Sequence, residues 1–353
     1  AAISTLSDAV LVTTITEGIG DGMPGFAEDL TQDQIQDVAK YARTLALRGL
    51  EVFNAPAAQV TAEPPAPIST ADSDSASTGT ITGRVTQGSA GGSAPPAGAP
   101  ITLFVFLPNQ TPQQLTATAG EDGEFRFEGV PFDSQGQYVT TTLYRDRIFT
   151  STLITPEPGA GALDLPITIY ELTEDPAVIE IAGMVTQVSL IGDSLEVVQV
   201  FNVRNTSDRA FSTGQIASNG QPISLVLSLP PGALVIGNDD NSRYVIIADQ
   251  YLLIDTAPVV PGEEHIVQVV YAIPYTDSAI VEQRLNYAFN GVARLLVYPT
   301  DTSIQSVQYE PLGLQTLGQS SFQAYGGTLA LQPGDVLRYD ITGATRDSTS
   351  RTG

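Results

Sequence analysis

The chain has 353 residues and a formal net charge of −24, from 39 acidic against 15 basic side chains, with no cysteine, no tryptophan and a single histidine, His265. That composition excludes disulfides, thiolate metal sites, a cysteine nucleophile and haem attached through thioether bonds within this chain. It leaves too little imidazole for a multi-histidine metal site, argues against a Ser-His-Asp triad, and gives a surface that repels phosphate backbones, so nucleic acid is not an expected partner.

An apolar fraction of 42%, with 24 prolines and 32 glycines, predicts packed cores of short strands joined by turns. At about 100–200 residues per domain, the length gives two to four domains. No apolar run reaches the roughly eighteen residues of a membrane span, and no basic-then-apolar signal segment opens the chain. The start at Ala1-Ala2-Ile3 and the polar run Arg346–Gly353 read as edges of a longer precursor, with any membrane anchor outside this chain.

Residues 1–50 carry helical periodicity. Ser7 caps a first helix with apolar Val10, Leu11 and Ile15, and Gly18 stops it. A glycine-rich turn, Gly18–Gly25, follows. Thr31 and Gln34 form a capping box, and Ile35, Val38, Ala42 and Leu45 make one face of a second helix that closes at Gly49. Residues 51–78 change to a Pro/Ala stretch and then a Ser/Asp stretch, which predicts an exposed linker.

Residues 79–172 alternate in the manner of a β-sandwich. Strands are expected at Ile81–Val85, Ile101–Leu107, Leu115–Ala119, Glu124–Glu128, Tyr138–Tyr144, Ile148–Ile154 and Leu165–Tyr170, with a tight turn at Glu121-Asp122-Gly123. Phe104, Phe106, Phe125 and Phe127 fall at period two and are expected in the core. Residues 173–300 repeat the style with longer strands, including Ile179–Leu190, Leu195–Asn205, His265–Ile273 and Ala293–Tyr298, and predict a second, Ig-like sandwich. Residues 301–353 add short strands and a polar tail, completing that domain or forming a small one.

The most informative local feature is Gly22-Met23-Pro24-Gly25-Phe26, a methionine presented on a Gly/Pro turn between two helices. A thioether is a soft donor that suits haem iron, and it equally suits plugging a helix pair. The ordered stretches Leu6-Ser7-Asp8, Thr14–Gly18, Gly22–Phe26, Leu30–Ile35 and Asp37–Leu45 resemble the C-terminal part of class I c-type cytochromes. The resemblance implies that Met23 is the second axial ligand of a haem c and that Tyr41 and Leu45 lie on the terminal helix. The C-x-x-C-H segment of that family is absent from this chain.

Residues Gly79–Val85, Pro96–Leu103, Asp122–Val130 and Gly136–Tyr138 resemble the carboxypeptidase regulatory-like (transthyretin-like) sandwich family, which implies a noncatalytic spacer or binding module. Other signals are weaker. Asn238-Asp239-Asp240-Asn241 offers hard oxygens for calcium without EF-hand spacing and reads first as a solvated turn. His265, after Glu263-Glu264, reads as a strand-edge residue beside carboxylates. No carboxylate pair stands out as a general acid and base.

The sequence thus predicts a mainly β protein: two or three sandwiches behind a small α-helical partial cytochrome c domain (1–50) and a Pro-rich linker (51–78). The expected function is the extracytoplasmic part of a membrane- or surface-bound c-type cytochrome. It would transfer single electrons to a redox partner protein, with the sandwiches as spacer or docking modules. The alternative is a non-enzymatic structural or adhesive surface protein, oligomeric or filament-forming, whose partner is a neighbouring surface protein.

Overall fold

The computed structural model describes residues 77–108, 110–238, 243–317 and 320–345, together with the pairs 18–19 and 23–24. The helices expected within residues 1–50 and the linker up to residue 76 lie outside the described residues. In the glycine-rich turn, β1 (Gly18–Ile19) and β2 (Met23–Pro24) pair antiparallel with Ile19 opposite Met23, so the backbone reverses between them.

The first sandwich is built from β3 (Ser77–Gln87), β4 (Pro100–Phe106), β5 (Gln113–Thr118), β6 (Glu124–Phe132), β7 (Gln137–Tyr144), β8 (Arg147–Thr150), β9 (Ala162–Asp164) and β10 (Ile167–Ile169). One sheet runs β10-β3-β6, with β9 also paired to β3. The other runs β5-β4-β7-β8. Side-chain alternation buries Ile81, Ile101, Leu103, Val105, Phe125, Phe127, Tyr138 and Phe149 between them. The expected turn at Glu121-Asp122-Gly123 carries the chain from one sheet to the other. Gly123, at φ 77°, lies against Val85, where a Cβ would meet the carbonyl oxygen at 2.5 Å.

Two of the four phenylalanines expected in the core are not there. Phe125 and Phe127 are buried, but Phe104 is half-buried and Phe106 is 38% exposed. The strand that carries them is apolar on both faces. With Ile101, Leu103 and Val105 turned inward, period two forces Phe104 and Phe106 outward, where their rings stack at 6.5 Å.

The second part of the chain contains β11 (Leu172–Thr173), β12 (Ile179–Ile191), β13 (Ser194–Asn205), β14 (Ala210–Phe211), β15 (Leu225–Ser228), β16 (Leu234–Asn238), β17 (Tyr244–Ile247), β18 (Leu252–Asp255), β19 (His265–Pro274), β20 (Ser278–Arg284) and β21 (Ala288–Tyr298). It continues with β22 (Ser303–Gln305), β23 (Glu310–Leu317), β24 (Ser320–Leu331) and β25 (Val336–Thr342). A seven-stranded sheet, β16-β19-β13-β12-β21-β24-β23, packs against two three-stranded sheets, β15-β18-β17 and β20-β25-β22. Residues beyond 300 therefore join the second sandwich: β23 and β24 extend its large sheet, and β22 and β25 flank β20. Its core includes Val197, Phe201, Phe211, Val267, Tyr271, Phe289 and Leu295. Inside it, Gln199 and Gln283 exchange amide hydrogen bonds of 2.8 and 3.1 Å, so each buried amide satisfies the other.

Beside the central pair, β12 and β21 run parallel and share a register shift at Ile181/Gly183. Gly291 makes that closeness possible, because a Cβ there would lie 1.8 Å from the Ala182 carbonyl oxygen. Gly291→Ala is expected to cost about 1–3 kcal/mol through overpacking. Gly161→Ala, in open space, is expected to be near neutral. Urea melts of the two variants check the contrast.

Candidate functional site

The chain crosses between the sandwiches through Glu171, Leu172 and Thr173, and the best-built polar constellation lies there. The Glu171 carboxylate is 9% exposed. It accepts the Ser93 N–H at 3.0 Å and the Tyr144 hydroxyl at 3.0 Å, and it pairs with Arg145 Nε at 2.7 Å. The Ser93 amide, followed by the hydroxyl and the guanidinium, outweighs the cost of burial and holds the carboxyl down to about 2. The backbone is tied as well. Glu171 N–H donates to Ser89 Oγ (3.0 Å), Ser89 Oγ donates to the Asp208 carbonyl (2.7 Å), and Ala210 N–H donates to the Glu171 carbonyl (2.9 Å). The Asp208 carboxylate accepts the Ala90 N–H at 2.9 Å. Alongside, β11 and β14 pair in parallel, and buried Ala210 packs into the first core.

A second arm comes from the β7–β8 turn. Arg145 and Asp146 have φ of 49° and 57°, in the left-handed region that such two-residue turns normally give to Asn or Gly. Two such residues store on the order of 1–3 kcal/mol each. The conformation aims Arg145 at the crossing segment and Arg147 at the second sandwich. Arg145 reaches Glu171, and buried Arg147 donates from Nε to Ser212 Oγ (2.7 Å) and from Nη2 to the Thr213 carbonyl (2.8 Å).

A second charged cluster clamps the sheets of the second sandwich together. Asp255 on β18 is fully buried and takes two bonds from Arg243, at 2.8 and 2.5 Å. His265 Nε2, at the start of β19, lies 2.7 Å from its Oδ2. Burial pushes the Asp255 carboxyl up, and the Arg243 and His265 bonds more than offset this, so it lies below the usual value. The sequence placed His265 beside Glu263 and Glu264, but its partner is the carboxylate on the neighbouring sheet.

A third feature is a shallow cleft on the outer face of the β10-β3-β6 sheet. It holds Arg84, Glu124, Arg126 and Asp164, and the exposed pairs Arg84–Glu124 and Arg126–Glu128 contribute little.

The two ligand expectations fare differently. For calcium, residues 239–241 lie outside the described residues. Among the described residues there is no group of three His, Cys, Asp or Glu side chains that would hold a metal ion. For haem c, the residues of this chain do not make the site by themselves. There is no thiol, and the one imidazole is bonded to Asp255 in the second sandwich, while Met23 is described only through its backbone pairing. Glu171, Arg145 and Arg147 were not singled out by sequence. Their one local signal is a charged Arg-Asp-Arg turn at a place where Asn-Gly is expected.

No protein-family model matches the chain, and no curated protein matches it. Among solved structures, the full-length RrgB pilus protein from Streptococcus pneumoniae aligns at 9% identity over 77% of this chain, with a TM-score of 0.16. The alignment covers 63% of that pilus protein, and at this score it assigns neither fold nor function. No described helix is long and apolar enough to cross a membrane.

The joint carries a pH signature. The Glu171 carboxyl is depressed in the folded state, so its contribution is whole above about 4.5, declines as pH falls, and is gone below about 2. The stability gap between wild type and Glu171→Gln, followed by urea melts from neutral pH downward, is expected to close across that window. Arg147→Ala should cost about 1–3 kcal/mol, because it removes the bonds to Ser212 Oγ and the half-buried Thr213 carbonyl, leaving Ser212 only the Ser224 hydroxyl. It should also split one thermal transition into two, as calorimetry would register.

Proposed function

We propose that this chain is a non-enzymatic, extracytoplasmic scaffold in which two β-sandwiches are locked into one stiff spacer that meets a neighbouring surface protein. The observation that carries this reading is the joint. It combines a buried carboxylate with three donors, a buried arginine crossing to the next domain and a strand pair across the linker. A joint that only connected domains would be exposed, flexible and polar without satisfied partners. Here its groups are buried and bonded, which is the investment expected where the angle between domains matters. The charged clusters support the same reading. The Asp255 and Glu171 carboxylates are spent on donors that tie sheets and segments together.

The electron-carrier reading rests on the cytochrome-like order of residues 6–45 and on Met23. It requires a segment beyond this sequence to supply two thiols and an imidazole. Its test is the visible spectrum of the full gene product matured in a haem-attaching host. A c-type band that shifts on Met23→Leu would support it, and no band would end it.

For the scaffold, the absence of cysteine allows clean spin labelling. Labels at exposed Thr86 and Glu282, one per sandwich, are expected to give a single narrow distance distribution in pulsed electron resonance. The distribution should broaden in Arg147→Ala. A broad wild-type distribution would defeat the stiff-spacer reading.

A further inference from the structure

We propose that β5 is a docking edge at which two copies of this chain join their four-stranded sheets by antiparallel strand pairing. The proposal rests on the scaffold reading and deepens it, since the scaffold's partner becomes a second copy of itself.

The first observation is how the sheet edges are protected. An edge strand presents unpaired N–H and C=O groups, and natural sheets blunt such edges with charge, proline, bulges or brevity. Four described edge strands longer than four residues are blunted. β6 carries Glu124, Arg126 and Glu128, and β20 carries Glu282 and Arg284. β23 has Glu310, Pro311 and a register shift before Gly313, and β16 has a register shift between Val235 and Gly237. β5 is not blunted. Its sequence, Gln113-Gln114-Leu115-Thr116-Ala117-Thr118, has no charge, proline or glycine. It pairs with β4 without a register shift, and no described strand pairs with its other side.

The second observation is charge. At −24, two copies repel one another unless the surfaces that meet carry no carboxylates. On the β5-β4-β7-β8 sheet, the outward positions are uncharged throughout, among them Thr116, Thr102, Phe104, Phe106, Thr141 and Leu143. The opposite sheet's outward positions include Arg84, Glu124, Arg126 and Asp164. The charge-free face is thus continuous with the unblunted edge, and two copies can meet there without opposing like charges.

The third observation is side-chain parity. Leu115 and Ala117 pack toward the first core, and Gln114, Thr116 and Thr118 are exposed. A two-fold axis through Thr116 keeps the faces matched. Thr116 then meets Thr116 of the second copy, Gln114 meets Thr118, and Leu115 meets Ala117. Thr–Thr pairs across antiparallel strands are favourable, and the ladder adds backbone hydrogen bonds that need no other partner.

The experiment uses the full chain. Sedimentation equilibrium is expected to show a reversible dimer, and Thr116→Glu, which sets carboxylate against carboxylate, should weaken it at least tenfold. Gln114→Glu is the second variant, and circular dichroism confirms that both fold. Because the chain has no cysteine, Thr116→Cys should form a disulfide-linked dimer under mild oxidation much faster than Thr150→Cys on the opposite edge. A wild-type monomer up to ~1 mM would overturn the proposal. So would a dimer that both Glu variants leave intact, or equal cross-linking rates at the two edges. A stiff monomer removes this proposal and spares the scaffold reading. A flexible chain that still dimerises through Thr116 does the reverse.

Discussion

The Glu171 carboxylate is the interaction on which the arrangement of this molecule depends. It sits where the chain leaves one core for the next, and it gathers a backbone amide from the Ser93 loop and a phenol and a guanidinium from the β7–β8 turn of the first sandwich. Its own backbone meanwhile reaches Ala210 in the second. A buried carboxylate is costly unless its acceptor sites are filled, and these are. The carboxylate therefore pins the crossing segment to the first sandwich. The angle to the second is held by the bonds that cross: Ala210 N–H to the Glu171 carbonyl, Ser89 and Ala90 to Asp208, and Arg147 to Ser212 and Thr213. Buried Ala210 supplies an apolar contact beside them.

The same logic explains which cations are buried. The chain has fourteen arginines and one lysine, Lys40, so the described residues have no lysine at all. Both internal charged clusters need a planar group that satisfies several acceptors at once. Arg243 forks onto Asp255, and Arg147 spans a hydroxyl and a carbonyl. A lysine ammonium would meet neither geometry and would be harder to desolvate. The strained Arg145-Asp146 turn fits this account, since left-handed backbone is tolerated where the side chains it aims are held on the far side.

Much of the fold was legible because strand periodicity is a local property. Ile179–Leu190 was expected and β12 runs Ile179–Ile191; Leu195–Asn205 was expected and β13 runs Ser194–Asn205. What escaped was short or non-local. β16 is a brief apolar run between Pro231-Gly232 and an Asn/Asp turn, too short to assert a period. Phe104 and Phe106 failed because a strand apolar on both faces leaves its phase undetermined, and only the neighbouring strand settled it. The joint was invisible for a plainer reason. Glu171 lies 78 residues from Ser93 in sequence, and Arg147 lies 65 from Ser212. A solvated glutamate and a buried one are the same letter.

That misread phase has a physical consequence. A strand that is apolar on both faces reports a sheet whose outer surface is not built for water alone, and here the sheet's outer positions lack charge from β5 to β8. Charge elsewhere keeps copies apart, and its absence here favours approach through this face. The acidic surface and the neutral sheet are thus complementary devices: the first suppresses random association, and the second leaves this orientation open. If that face were only an accident of composition, adding charge to it would change solubility and nothing else. If it is a contact surface, the same change acts at a single register and spares the fold.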